Sequence, residues 1–275
     1  MSYPFADVSG APVADLISLK GRRAVVTGGV QGLGRAIAER LAEAGADVAL
    51  ADLDEGRAAE EAEALAGRHG VRALGVRMDV TDATSVADAG EKVLGSLGGV
   101  DIWVNNAGIF PSSPLLEMDD EEWDRVFAVN ARGVRNGTRE AARRMADGGV
   151  VINVVSTAGF RGVAPGLSAY VGSKHAVRGM TRQLALELAP RGIRVLGVAP
   201  SYVPTEGNRA AAVAALEKRG AQGADAPGAP AAMSQSLIGR VGTPDDIARV
   251  VLFCATDLSL IMTGSTLLAD AGETI

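Results

Sequence analysis

The sequence predicts an α/β chain built on a doubly wound parallel sheet with helices on both faces, on three observations. Short apolar runs alternate with longer helical patterns six times across residues 23–199, the rhythm of repeated strand and helix units. The first run, Arg23-Ala24-Val25-Val26-Thr27, passes directly into Gly28-Gly29-Val30-Gln31-Gly32-Leu33-Gly34 and a helix with Leu33, Ile37 and Leu41 among its apolar positions. Late in the chain Tyr170 and Lys174 stand four residues apart, the spacing that brings two polar tips together on one helix face.

A chain of 275 residues with 47% hydrophobic content has ample material for one large core. A net charge of −6 and a pI near 5.1 exclude the broad basic footprint of a nucleic-acid binder. The single cysteine, Cys254, can form no intramolecular disulfide and has no cysteine or histidine at metal-ligand spacing. A buried apolar role is expected for it, no metal is expected, and a reducing cytoplasm fits. Residues 1–20 contain Asp7 and Asp15 and lack the basic start and long apolar run of a signal peptide. They read as a short arm ahead of a single domain over residues 21–275. No stretch approaches the roughly 20 apolar residues that cross a bilayer, so no membrane partner is expected. Asn136-Gly137-Thr138 spells a glycosylation sequon, which without secretion is accidental.

Taken in order, strand 23–27 feeds a glycine turn that lets backbone approach a pyrophosphate, with the N-terminal N–H groups and dipole of the next helix behind it. An ordinary glycine-rich connection is the plainer alternative. Strand 47–51 ends at Asp52, 18 residues beyond Gly34, near the place of a carboxylate that accepts from both ribose hydroxyls of an adenosine. That charge repels a 2′-phosphate, and Gln31 gives the turn no arginine to attract one, so NAD is favoured over NADP. Asp52 can equally be an exposed strand end, because Asp52-Leu53-Asp54-Glu55 also spells a turn and helix start.

Helix 55–68 carries Ala58, Ala62 and Leu65 on one face, and strand 73–78 follows. Asp79 is a candidate reader of the adenine amino group, and Thr81 or Asp82 caps helix 83–97. Strand 102–105 runs into Asn106-Ala107-Gly108, where paired asparagines can tie neighbouring strands and Gly108 leaves room for a cofactor. Asp119-Asp120-Glu121-Glu122 opens a long helix. Asn130, in its apolar middle, either bonds backbone or opens the helix locally and orders a water. Strand 150–155 delivers Ser156 to the carboxyl edge of the sheet, where open α/β sheets keep their ligands. Loop 160–167 leads into the helix of Tyr170 and Lys174, and strand 194–199 follows.

Residues 206–237 break this pattern, with an alanine-rich helix candidate at 209–219 and a Gly-, Ala- and Pro-rich run at 220–230. They are expected to form a substrate lid at about 204–238, although composition is equally compatible with a linker or an oligomer contact. Phe110, Phe160, Tyr202 and Met233 are candidates to line an apolar substrate site beside Ser156. Core packing is the even alternative for each.

Together Thr27-Gly28 with Gly32 and Gly34, Asn105-Asn106-Ala107-Gly108, Asn130, Ser156, Tyr170 with Lys174, and Pro200 through Thr205 resemble the short-chain dehydrogenase/reductase family. The match spans most of the chain. The resemblance implies a Rossmann-like sheet of seven parallel strands and NAD(H)-dependent interconversion of a secondary alcohol and a ketone. It assigns Tyr170 as general acid and base, Ser156 as holder of the substrate oxygen, and Lys174 as partner of the nicotinamide ribose that lowers the tyrosine pKa. Asn130 would anchor the water behind the lysine. The cofactor would lie along Gly28, Gln31, Gly32, Leu33, Gly34, Asp52, Leu53, Asp79, Val80, Asn106, Ala107 and Gly108. It would end at Tyr170, Lys174, Pro200, Val203 and Thr205.

The chain departs from the family at Ser201, where glycine is common, and in a loop between Ser156 and Tyr170 about one residue longer than usual. Thr243-Pro244-Asp245-Asp246 opens a further helix, and residues 263–272 would supply the seventh strand and a turn. A small-molecule alcohol or ketone partner and a homotetramer are implied by resemblance. The alternative of another class is a catalytically silent NAD-binding sensor or scaffold. An enoyl reductase of the superfamily usually spaces tyrosine and lysine more widely, and a sugar epimerase usually has a larger C-terminal domain.

Overall fold

The computed structural model describes residues 7–146, 148–206 and 236–275. After a short helix, α1 (Val13–Ile17), strands and helices alternate: β1 (Arg23–Thr27), α2 (Gly32–Glu43), β2 (Asp47–Asp52), α3 (Glu55–His69), β3 (Ala73–Arg77), α4 (Ala83–Leu97) and β4 (Ile102–Asn105). Then come α5 (Asp120–Phe127), α6 (Gly133–Arg144), β5 (Gly149–Val154), α7 (Ser168–Leu188) and β6 (Ile193–Pro200). A last pair, α8 (Pro244–Ala255) and β7 (Thr266–Ala269), completes the described chain.

The strands form one sheet in the order β3-β2-β1-β4-β5-β6-β7, every neighbouring pair parallel. The seven-stranded doubly wound sheet is therefore the one expected. Winding runs outward from β1 to β3, then returns to start again at β4. The switch between β1 and β4 opens a crevice at their carboxyl ends, where the turns after both strands face each other. The expected lid, including its helix candidate at 209–219 and Met233, lies largely outside the described residues.

Central strands are apolar throughout because both faces are covered. Ala24, Val25 and Val26 are each 0% exposed. On one face Val26 and Leu50 pack with Ile37 and Leu41 of α2 and with Ile247, Val251 and Cys254 of α8. On the other, Val25, Trp103 and Val151 pack with Val86 and Val93 of α4 and Ala141 of α6. Cys254 is buried, as expected, and burial pushes its thiol up to about 12.

Helix ends follow the sequence signals. Asp54 and Asp82 accept from the backbone N–H groups of Arg57 and Thr84, and Gly70 and Gly98 end α3 and α4 with φ of 66° and 84°. Of the two expected caps on α4, the aspartate takes the role. Thr243 and Asp246 form a reciprocal capping box on α8, with Pro244 in its first turn.

The long helix opened by Asp119 is interrupted. Between α5 and α6, residues Ala128–Arg132 form a π turn, and Asn130 is at its centre, fully buried. A helix that must bury an asparagine side chain against a neighbouring loop relieves the register by taking in one extra residue.

Buried amides fasten the middle of the sheet. Trp103 Nε1 donates to Asn105 Oδ1 at 2.9 Å, and Asn105 Nδ2 donates to Thr138 Oγ1 at 3.1 Å and Asn153 Oδ1 at 2.9 Å. Asn153 Nδ2 then donates to Thr181 Oγ1 at 3.0 Å. This chain links β4 and β5 to α6 and α7. Asn153→Ala strips an acceptor from Asn105 and a donor from Thr181, each a buried loss of about 1–3 kcal/mol. Urea unfolding should show a lowered midpoint with an unchanged m value, corresponding to an unfolding free energy smaller by about 2–6 kcal/mol.

Candidate active site

The two turns at the switch point are locked together by Thr27 and Asn106. Thr27 Oγ1 accepts from the backbone N–H groups of Asn106 and Ala107, both at 3.1 Å. Asn106 Nδ2 donates to the carbonyls of Thr27 at 2.9 Å and Gly28 at 3.0 Å. Gly28 has φ of 62°, and a Cβ there would come within 3.0 Å of Ala107 Cα. At Gly34 a Cβ would sit 2.0 Å from the Gly28 carbonyl oxygen, so only glycine lets α2 rest on the turn. Gln31 makes no side-chain cap, and no acidic residue occupies the first turn of α2. The result is a backbone cradle before a helix N-terminus, which fits a pyrophosphate.

Across the crevice, Ser156 stands two residues past the end of β5 and caps a single 3-10 turn, Thr157–Gly159, accepting from Ala158 N at 3.1 Å. Tyr170 lies in the first turn of α7, its hydroxyl within electrostatic reach of the Ser156 side chain. Phe110 meets the Tyr170 ring edge to face at 6.1 Å. Lys174 is 5% exposed, donates to the Val154 carbonyl at 2.8 Å, and holds its ammonium 5.8 Å from the centre of the Tyr170 ring.

Asn130 Oδ1 accepts from Ile109 N at 2.9 Å, and its Nδ2 donates to Ile109 O at 2.8 Å and Ser173 Oγ at 3.0 Å. Ser173 Oγ donates to the Tyr170 carbonyl at 2.7 Å. The Asn130 side chain thus takes up the backbone-bonding role and clamps the loop after β4 onto α7. Its amide is spent on protein groups.

Burial sets the titration of the central pair. It pushes the Tyr170 hydroxyl above its ordinary value, with the Ser156 side chain pulling the other way. It pulls Lys174 down from 10.5 to about 8. In the protein alone, therefore, the tyrosine is raised, contrary to the expected lowering by lysine. The ammonium is directed at the Val154 carbonyl, and dehydration of the phenol dominates.

The other candidates are distributed along the crevice. Asp52 closes β2, partly buried, with Oδ1 accepting from Asp54 N at 3.3 Å, and Leu53 beside it is 60% exposed. Asp79 commits Oδ1 to Thr81, accepting from its N at 2.9 Å and its Oγ1 at 2.7 Å. Val80 gives its carbonyl to Asn136 Nδ2 at 3.0 Å. Pro200 ends β6, Val203 is buried, and Thr205 lies against Gly32, where a Cβ would be 3.3 Å from the threonine Cβ. Leu33 packs into the core beneath. Tyr202 is 38% exposed. Phe160 packs against Val134, Val155, Val177 and Ala199, with the Arg178 guanidinium 3.9 Å over its ring. A cavity of about 610 Å³ lies beside the glycine turn, away from Tyr170, lined by Gly32, Arg35, Glu39, Glu61 and Asp245 among others.

Three contributors were not found from the sequence. Ser173 was legible, since it stands three residues after Tyr170 and beside Lys174. Arg57 and Arg161 carried no local signal. Arg57 reaches Gln31 Oε1 at 3.5 Å and Glu206 Oε2 at 3.4 Å, and Arg161 pairs with Glu273.

A glycine cradle at the switch point of a parallel sheet, opposite a serine and tyrosine backed by a buried lysine, defines a nucleotide-dependent oxidoreductase class. A family model described as enoyl-(acyl carrier protein) reductase matches residues 28–274. The chain is 35% identical over 258 residues to the 3-oxoacyl-(acyl carrier protein) reductase FabG of Aquifex aeolicus, covering 93% of this chain and 98% of that protein. It is 38% identical over 260 residues to the L-2,3-butanediol dehydrogenase of Corynebacterium glutamicum, covering 90% and 97%. A crystal structure of a gluconate 5-dehydrogenase from Burkholderia cenocepacia J2315, in complex with NADP and tartrate, matches with TM-score 0.86 at 33% identity, covering 96% of this chain and 99% of that one. The chain belongs to the short-chain dehydrogenase/reductase family. Among the described residues no helix is long and apolar enough to cross a membrane.

The buried lysine makes a pH prediction. Its folded pKa lies below the ordinary value, so between pH 8 and 10.5 the unfolded chain binds more protons and stability rises with pH. Above pH 9 the raised Cys254 thiol works in the opposite sense. From pH 8 to 9, wild-type stability in denaturant titrations should rise relative to Lys174→Met. A difference independent of pH would contradict the burial of a titrating ammonium.

Proposed function

We propose that the protein interconverts a secondary alcohol and a ketone with NAD(H), Tyr170 being the proton-transfer group. The observation that carries this reading is the placement of Ser156 and Tyr170 together, with Gly108 against the buried Lys174, across from the glycine cradle. A nicotinamide bound there supplies the hydride acceptor for oxidation or the donor for reduction.

The chain's own residues do the rest. In reduction the Tyr170 O–H gives its proton to the carbonyl oxygen while Ser156 donates a hydrogen bond to that same oxygen. Burial favours the protonated tyrosine that this direction needs. In oxidation the phenolate takes the alcohol proton, and the Lys174 positive charge stabilises that phenolate. Asn130 and Ser173 keep the loop after β4 and the first turns of α7 in register, so Gly108 stays open in front of the lysine. A Cβ at Gly108 would approach Asn130 Oδ1 at 3.3 Å and Lys174 Nζ at 3.8 Å.

NAD is the favoured cofactor, and Asp52 supports it. A carboxylate at the end of β2 accepts hydrogen bonds from ribose hydroxyls and repels an added phosphate. The NADP bound to the Burkholderia gluconate 5-dehydrogenase sharpens the point, because this chain also brings Arg57 to the side chain of Gln31. Arg57 is engaged by Glu206, which offsets its charge and leaves the Asp52 carboxylate decisive. Phe110 against Tyr170, with the half-exposed Tyr202, supports a neutral, largely apolar substrate. The butanediol dehydrogenase relative points to the same class.

Tyr170→Phe should bind NADH with unchanged affinity while losing alcohol and ketone turnover by about 10³-fold or more. Following NADH absorbance across a panel of secondary alcohols tests this directly, and a variant that keeps full turnover would remove the tyrosine from the chemistry. Asp52→Ala should weaken NAD and strengthen NADP, each by roughly tenfold. A wild type that titrates more tightly with NADP than with NAD would refute the part given to Asp52.

A further inference from the structure

The loop between Ser156 and Tyr170 is held at both ends by contacts from distant segments. At its far end Ser113 N donates to the Gly166 carbonyl at 2.9 Å, and a Cβ at Gly166 would fall 2.7 Å from Ser112 Oγ. At its near end Arg161, five residues after Ser156, donates through Nη2 to Glu273 Oε1 of the C-terminal tail. The glutamate side chain is 14% exposed and the arginine 39%, so the pair closes over the tail.

That tail is a constructed turn. Asp270 is 7% exposed and accepts from Gly272 N at 3.1 Å, Thr274 N at 3.0 Å and Thr274 Oγ1 at 2.6 Å. Its carbonyl accepts from Glu273 N at 3.1 Å. Among the described residues Ala271 alone, other than glycines, has positive φ, at 57°. A non-glycine residue in that conformation costs roughly 1 kcal/mol and persists only where its surroundings fix it. The strained residue presents its carbonyl to Leu237 N at 2.9 Å, and Gly272 has space only for hydrogen against the Leu237 side chain, 2.6 Å from a built Cβ. Backbone strain, a buried aspartate and an ion pair thus converge on one short segment, which connects Leu237 to the loop after Ser156.

We infer that Arg161 and Glu273 are a positioning pair through which the C-terminal turn fixes the substrate-side loop, and with it the size of alcohol or ketone admitted beside Tyr170. Among the described residues the side-chain bond of the pair reaches neither the glycine cradle nor Tyr170 and Lys174. Its effect falls on substrate binding and leaves cofactor binding alone. This inference rests on the alcohol and ketone reading of the site.

The test is a double-mutant cycle of Arg161→Gln, Glu273→Gln and both together, assayed with NAD⁺ and secondary alcohols of increasing size. Each single change should raise KM for the larger alcohols about tenfold, keep the NAD⁺ Kd within about twofold, and lose nothing further in the double variant. Unchanged KM in both single variants, strictly additive losses, or a parallel fall in NAD⁺ affinity overturns the positioning role. Amide hydrogen exchange over residues 157–167 supplies a second readout without turnover: faster exchange in Glu273→Gln is expected, and unchanged protection overturns the pair. Wild-type silence toward every alcohol would overturn the activity reading, and the exchange experiment would still decide the pair.

Discussion

A charged ammonium buried against a single carbonyl is the constraint on which the active-site end of this fold depends. Lys174 sits on α7 and spends its one hydrogen bond within the described protein on Val154, the last residue of β5. An ammonium taken out of water costs several kcal/mol unless its surroundings offset the loss, so the packing around it is strict. Gly159 touches α7 so closely that a Cβ would stand 2.8 Å from the Lys174 carbonyl. Gly172, two residues before Lys174, faces Phe127, with 3.2 Å between a built Cβ and the ring. Phe127 itself stacks on Trp123 at 4.8 Å. The helix is thus gripped from two sides at the level of Tyr170 and Lys174.

The π turn between α5 and α6 answers a related need. A regular helix through residues 128–132 would leave Asn130 on whatever face the period dictated. The inserted residue aims its amide at Ile109 and Ser173 instead, and these bonds join the loop after β4 to α7. Ser173 passes the connection to the Tyr170 carbonyl. Strand ends, the helix interruption and α7 therefore share a polar chain, and a buried chain of satisfied hydrogen bonds resists small displacements. The proton-transfer role proposed for Tyr170 requires that rigidity.

Most of this architecture was legible because it is periodic or local. Strand runs such as Val25 to Thr27 are apolar on both faces, helix starts carry Asp54, Asp82 and Thr243, and Gly28, Gly32 and Gly34 stand together in a few residues. Tyr170, Ser173 and Lys174 share one helix and needed only its spacing. The interruption at Asn130 was foreseeable because an asparagine inside an apolar stretch demands a partner. What escaped is long in sequence separation. Arg57 meets Glu206 and Arg161 meets Glu273 across spans of 149 and 112 residues, and neither arginine differs locally from those that merely solvate a surface. The raised tyrosine escaped for another reason: the expectation weighed the charge of lysine and not the dehydration of the phenol, which only the packed structure reveals.

The same division separates the reaction from the choice of substrate. The proposed proton-transfer groups stand just after β5, on α7 and in the π turn, where Asn130, Ser173 and Lys174 have buried partners. Among the described residues the proposed substrate side stands on loops, tied by the half-exposed Arg161 and Glu273 pair, the backbone bond at Gly166, and aromatic rings such as Phe110 and Tyr202. An exposed ion pair contributes only about 0.2–1 kcal/mol, so such ties set position without adding much stability. A segment held that lightly can change its side chains while the buried groups keep their geometry. Reaction class is therefore written in short, rigid motifs that a sequence displays. The identity of the substrate depends on how distant, lightly tied segments meet, and that is a property of the folded surface.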